Sequence, residues 1–247
     1  MTIIKDMNKK ICEKYCFRKR IKKENKQIKN IEKLGLVVFD MDGVLTDTYS
    51  SWRYVHDFFN TSNEKSVIEY LKGDFDDEEF IKRDARLWRE KNKPITRDKL
   101  SYILDNIPIM NGADNCINQL SKNNIKTAIV SAGLDILAER VAKTLNIDYY
   151  FSNGIKVDNN GFLKDRAIVK VKLIHKDENI EYLSKQLEIS LDSIASVGNS
   201  CYDIPMFETS GLGIAFNPED ECVIKAADYV IFDKDLSKLI PILKKYF

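Results

Sequence analysis

Apolar and polar positions along this chain follow two rhythms. Leu36-Val37-Val38-Phe39 is a short unbroken apolar run that stops abruptly at Asp40-Met41-Asp42-Gly43. A run this short, rich in β-branched residues and bounded by turn residues, reads as a strand buried on both faces, the kind used in parallel sheets. From residue 111 onward the rhythm repeats. Positions 126–130, 149–151, 194–197, 212–216 and 229–232 predict strands, and 114–122, 134–145, 170–187, 202–209, 219–227 and 236–246 predict helices. Asp158-Asn159-Asn160-Gly161 predicts a hairpin turn. Strands alternating with helices indicate a three-layer α/β/α fold around a parallel sheet.

The stretch 46–108 breaks that alternation. Trp52, Val55, Phe58 and Phe59, then Val67, Ile68 and Leu71, then Phe80, Ala85, Leu87 and Trp88 fall at helical spacing, while Gly73, Pro94 and Pro108 punctuate the segment. A long helical stretch between two strand patterns reads as an inserted cap, a candidate lid over the Asp40 loop. The expected organisation is a helical extension over 1–33, an α/β core from 34–48 and 109–247, and a helical cap domain over 49–108.

Charge changes the picture only at the start of the chain. The formal net charge is +1, yet residues 1–33 carry about +8, leaving the remainder acidic. A basic face for nucleic acid is one reading. A solvated helical extension packing on its own domain or on a second subunit of a homo-oligomer is favoured, because no aromatic residues interleave the charge as base-readers would. No apolar run is long enough to span a membrane and no apolar signal segment opens the chain, so a cytoplasmic protein is expected. Five scattered cysteines without a CxxC pair suit reduced thiols, and two histidines leave little for a zinc site.

Candidate chemistry gathers where the predicted strands end. Parallel strands bring their carboxyl ends to one edge of a sheet, where open α/β folds bind ligands. That edge would hold Asp40 and Asp42, Ser131-Ala132-Gly133, Gly198-Asn199, Asp203 and Lys176. Ser131 and Gly133 are expected to open a helix whose free N–H groups favour an anion. A phosphate fits this set if a divalent cation offsets the carboxylates, and hard oxygen ligands point to Mg2+.

With these residues placed, the chain resembles the haloacid dehalogenase (HAD) superfamily of phosphohydrolases, most closely its phosphoserine phosphatase-like group with a helical cap. FDMDGVL from Phe39, VSAG from Val130, Lys176 in HKDENIEYL and VGNSCYDIPMFE from Val197 match the four family motifs in order, from about Leu34 to the C-terminus. The resemblance implies a Rossmann-like core, a small phosphorylated substrate and a Mg2+ cofactor. It further implies Asp40 as nucleophile, Asp42 as general acid and base with its backbone carbonyl on the metal, Ser131, Ala132 and Gly133 around the phosphate, and Lys176 as charge balance. The metal ligands would be Asp40, Asp42, Asn199 and Asp203.

Two departures stand out. The fourth motif ordinarily begins Gly-Asp, whereas this chain has Gly198-Asn199, which offers a neutral carbonyl oxygen in place of a charged ligand. Tyr49 occupies the position at which phosphoserine phosphatases carry an amine-reading Glu, and no arginine matches the carboxylate reader unambiguously. Tyr49, Trp52 and Arg83 are therefore candidate contacts to the rest of another small phosphomonoester. Transfer of the phosphoryl group to a second acceptor, or a non-catalytic binding role following the loss of the Asp at 199, are the alternatives.

Overall fold

The computed structural model describes Ile31 and residues 33–247. The basic helices expected over 1–33 lie outside the described residues apart from Ile31 and Lys33.

Strand β1 (Leu36–Phe39) is followed by helices α1 (Ser51–Phe58), α2 (Glu64–Lys72) and α3 (Asp77–Leu87), a hairpin of β2 (Arg89–Glu90) and β3 (Lys93–Pro94), and α4 (Arg97–Leu104). Then come α5 (Ala113–Lys122), β4 (Lys126–Leu134), α6 (Asp135–Leu145), β5 (Tyr149–Val157), β6 (Leu163–Ile168) and α7 (Asp177–Leu187). The chain closes with β7 (Ile194–Gly198), α8 (Ile204–Thr209), β8 (Leu212–Phe216), α9 (Glu221–Ala226), β9 (Tyr229–Ile231) and α10 (Ile240–Leu243). Seven strands form one sheet in the order β6-β5-β4-β1-β7-β8-β9, parallel except for the edge strand β6. This is the Rossmann-like α/β architecture expected from the alternation.

The buried run of β1 explains its central place. Val37 and Phe39 pack into the core on one face of the sheet, Leu36 and Val38 into the core on the other. Each such side chain contributes roughly 1.5–3 kcal/mol on burial, and only a strand flanked on both edges and covered on both faces can bury all four. β1 pairs in parallel with β4 and β7, Phe39 lying level with Ile129 and Val197. The chain therefore leaves β1 at Asp40 beside the ends of its two neighbours, where the strand order reverses direction.

The structure departs from the sequence reading in several places, with β5 running on to Val157 instead of ending at 151 and α7 starting at Asp177 instead of 170. β4 runs on through Ser131-Ala132-Gly133 to Leu134, with an irregularity in its pairing to β5 between Ser131 and Leu134, so helix α6 starts only at Asp135. Lys176 caps α7 rather than lying inside it. The β2–β3 hairpin, which the segment's helical rhythm hid, turns on Lys91 and Asn92, both at positive φ, a two-residue turn without the usual Asn-Gly signature.

The predicted turn at 158–161 joins β5 to β6, Asp158 Oδ1 accepting from Asn160 N at 2.8 Å and Phe162 N at 2.9 Å. This hairpin reaches the helical segment. Arg97 N donates to Gly161 O and Leu163 N to Ile95 O, both at 2.9 Å, and Arg86 pairs with Asp165 at 2.8 Å.

Candidate active site

The loop leaving β1 is shaped by its own backbone. Leu45 N and Thr46 N both donate to Met41 O, and Gly43 sits at φ +77. A Cβ at Gly43 would lie 2.1 Å from Asn199 Nδ2, so glycine is required both by the turn and by the side chain over it. The turn presents Asp40 and Asp42 to a cavity of about 250 Å³ at the carboxyl edge of the sheet.

Asp40 faces a buried cation. Lys176 Nζ lies 3.0 Å from Asp40 Oδ1 and 2.6 Å from Asp203 Oδ1. Burial raises the Asp40 carboxyl above its ordinary range, while Lys176 opposes that shift. Burial alone would lower the Lys176 ammonium, but Asp203 and Asp40 together hold it above the usual lysine value, so it stays charged.

Asp42 has a different neighbour. Its Oδ2 accepts from Ser51 N at 2.7 Å and Ser51 Oγ at 2.8 Å. Ser51 begins α1, so the carboxyl group caps a helix N-terminus. Burial nevertheless dominates and pushes the Asp42 carboxyl up to about 7, with the Ser51 N–H pulling the other way. Ser51 Oγ also accepts from Leu134 N at 3.0 Å, tying the first helix, the β1 loop and the end of β4 together.

The cavity brings together Asp40, Asp42, Ser131, Ala132, Gly133, Lys176, Asn199 and Tyr49, as the sequence reading expected. Tyr49 stands at its mouth, its hydroxyl raised above the usual phenol range by burial and by the Glu219 carboxylate beside it. Two expected residues are placed otherwise. Arg83 does not reach the cavity, because Glu69 and Glu79 hold its guanidinium over the Phe75 ring. Asp203 is fully buried with both oxygens committed, Oδ1 to Lys176 and Oδ2 to Asn199 N at 2.9 Å and Ser200 N at 3.0 Å. It buttresses Lys176 and the loop after β7 and does not line the cavity.

The anion cradle also departs from expectation. Gly133 N donates to Ser131 Oγ at 3.2 Å and Leu134 N to Ser51 Oγ, so these amides are engaged within the protein.

A cation would be held by fewer charges than the motif suggests. Among the described residues, no three His, Cys, Asp or Glu side chains are grouped to hold a metal. Asp40 Oδ1, beyond its ion pair with Lys176, and Asp42 Oδ1 are buried without a hydrogen-bond partner, and Asn199 adds a neutral carbonyl oxygen. Hard oxygen donors with few charges fit Mg2+, which keeps several waters and is commonly held by one or two carboxylates plus substrate phosphate.

Ser51, Arg53 and Glu219 are among the residues around the site that escaped the sequence reading. Ser51 resembles an ordinary helix-start serine beside the true cap, Ser50. Arg53 lies two positions further along α1 and lines the cavity while pairing with Asp57 at 2.8 Å. Glu219 comes just after β8, and a survey of the loop beyond every strand, not only those with recognisable motifs, would have found it.

Ser51→Ala removes one hydrogen bond from Asp42 and strands the buried Leu134 N–H. A loss of about 1–3 kcal/mol in stability is expected, seen as a lower urea midpoint with unchanged slope. An unchanged midpoint would show that the hydroxyl links nothing.

A family model of haloacid dehalogenase-like hydrolases matches residues 34–211. The chain belongs to that family. It is 30% identical over 217 residues to a phosphoserine phosphatase of Archaeoglobus fulgidus, an alignment covering 85% of this chain and 60% of that relative's length. To the phosphoserine phosphatase of Methanocaldococcus jannaschii it is 27% identical over 214 residues, covering 86% of this chain and 99% of the relative. The solved structure of a phospho-aspartyl intermediate analogue of phosphoserine phosphatase superposes with a TM-score of 0.72 at 26% identity, covering 85% of this chain and 99% of the other. This HAD-like enzyme therefore shares its fold with phosphoserine phosphatases, and the Asp40–Asp42 loop lies within the matched residues.

Proposed function

We propose that the chain hydrolyses a small phosphomonoester through a phosphorylated Asp40, with Mg2+ bound beside that residue. The observation that carries this reading is the contrast between the two carboxyl groups of one loop. Burial raises both, but Asp40 is paired with a charged lysine at 3.0 Å, whereas Asp42 is held by the Ser51 N–H and hydroxyl and has its carboxyl pushed up to about 7. Two carboxyl groups in unlike environments divide the work into nucleophile and acid–base.

In the first half-reaction an Asp40 oxygen attacks phosphorus and the bond to the alcohol oxygen breaks. Asp42 gives its proton to that departing oxygen. In the second, Asp42 takes a proton from a water whose oxygen attacks phosphorus, and the bond to Asp40 breaks to release inorganic phosphate. A carboxylate nucleophile needs no further deprotonation, and Lys176 balances the charge that builds on Asp40 and the transferring group. Bound Mg2+ would neutralise phosphoryl oxygens. Asp40, Asn199 and the Asp42 backbone carbonyl are the groups proposed to hold it.

In this reading residues 34–48 and 109–247 form the core, and 49–108 a cap that screens the reaction from water. The setting is the cytoplasm, in keeping with five scattered cysteines. Phosphoserine heads the substrates to test because the relatives are named for it. Tyr49 and Arg53 on the cavity wall suit a different pattern of contacts, so the panel should extend to other small phosphomonoesters.

Phosphate release from such a panel in Mg2+ is the test. Turnover of at least one substrate is expected, falling to background in EDTA and returning when Mg2+ is restored. Release from none of them at high Mg2+ would reject hydrolysis.

A further inference from the structure

The substitution that most distinguishes this chain from its resemblance, Asn199 in the fourth motif, has a structural counterpart. Asn199 Nδ2 donates to Glu219 Oε1 at 2.9 Å. A carboxylate can only accept, so the amide end toward Glu219 must be the nitrogen, and its carbonyl oxygen is the end free to serve a cation. The same side chain lies over Gly43 of the Asp40–Asp42 loop, and Glu219 lines the same cavity as both carboxylates. Glu219 is firmly placed. Its N–H donates to Asn199 O at 2.8 Å, and Asp220 beside it accepts from Cys201 N at 2.7 Å, so the loops after β7 and β8 are fastened together.

Resting on the Mg2+ reading above, we propose that Glu219 supplies the cation site with the negative charge that residue 199 lacks, acting as a positioning residue through the Asn199 amide. It fixes which end of the amide is available, and it places a full negative charge behind a neutral ligand in a half-buried setting, where charge interactions are stronger than in bulk water. The charge that the family pattern carries on position 199 is displaced one side chain outward, onto the neighbouring strand's loop.

The test is Mg2+ affinity by calorimetry on the full chain, with melting temperature in EDTA as a control. Glu219→Gln keeps an acceptor for Asn199 Nδ2 and the backbone bond, and removes the charge while turning one acceptor oxygen into a donor, from which the Tyr49 hydroxyl beside it can accept. Its Mg2+ affinity is expected to fall about tenfold with little change of melting temperature in EDTA. In Asn199→Asp two carboxylates face each other without the bridging N–H, so the melting temperature in EDTA should fall and its rise on adding Mg2+ should exceed that of the native chain. The double variant Asn199→Asp/Glu219→Gln exchanges charge and amide, and should recover native affinity or better. Glu219→Gln with native affinity would overturn the proposal. So would a loss that the double variant does not recover, since that marks a role in loop structure alone. A native chain that binds no Mg2+ would overturn it as well. Phosphate release, measured separately, tells whether the hydrolytic reading stands or falls with it.

Discussion

Asp40→Asn should abolish turnover while leaving the fold intact, with kcat falling roughly ten-thousandfold or more. The amide cannot form the acyl phosphate, and its neutrality removes one of the two negative partners of Lys176 Nζ. Asp203 remains 2.6 Å from that ammonium, so the lysine keeps one counter-charge and the buried cluster should survive. Phosphate release and a far-ultraviolet spectrum of the variant give the check. Residual activity within about tenfold of native would exclude Asp40 as nucleophile.

Asp42→Asn should produce a loss that depends on the leaving group. For alkyl phosphates, whose alkoxide needs a proton, kcat should drop by roughly a hundredfold to ten-thousandfold. With p-nitrophenyl phosphate the first half-reaction needs little acid help, so the phosphorylated enzyme should accumulate and a burst of nitrophenol should precede slow turnover. Equal loss on both substrates without a burst would remove Asp42 from proton transfer.

The same variant tests the burial of Asp42 in the metal-free protein. Its carboxyl lies near 7 in the fold against an ordinary value of 3.8. Between those values the folded chain holds a proton that the unfolded chain has released, so this group's contribution to stability is full below about pH 4 and is lost as pH rises through about 7. In EDTA, Asp42→Asn should therefore gain stability relative to the native chain on going from about pH 4 to about pH 8, by up to about 4 kcal/mol. A pH-independent difference between the two chains would show that the group is not shifted.

Much of this site could be read from strand logic alone. Asp40, Ser131 and Asn199 each come after an apolar run, and a parallel sheet leaves no choice about where such residues gather. Lys176 lies beside Asp40 although the helix expected to hold it begins after it, because the distance along the chain to the next strand matters more than its own conformation. The residues that escaped notice depend on how separately folded pieces are rotated against each other. Nothing in Ser50-Ser51 tells which hydroxyl turns inward, and that depends on how α1 docks against the end of β4. Arg83 misled for the opposite reason. It lies on a helix above the cavity, but Glu69 on α2 and Glu79 one turn before it claim its guanidinium. Competition of that kind between surface charges is invisible to spacing. Asp203 shows the same limit at short range, since a motif acid can serve as a ligand or as a brace, and the bonds to Lys176 and to the Asn199 and Ser200 amides decide which.

The hairpin of β5 and β6 fastens one end of the helical segment more firmly than the other. Two backbone bonds, to Ile95 and from Arg97, moor the later half of the helical segment to the sheet. The earlier half is held at the site by side chains: Ser51 on Asp42, Trp52 Nε1 on Ala132 O at 2.9 Å, and Asp77 Oδ1 accepting from Leu173 N at 2.8 Å. Each such contact contributes about 1 kcal/mol, and each touches a loop that also faces the substrate. Entry and exit are therefore expected beside α1 and the start of α3, where three modest latches hold the segment, and their release would tie the pace of the cycle to residues whose principal duty is to shape the site.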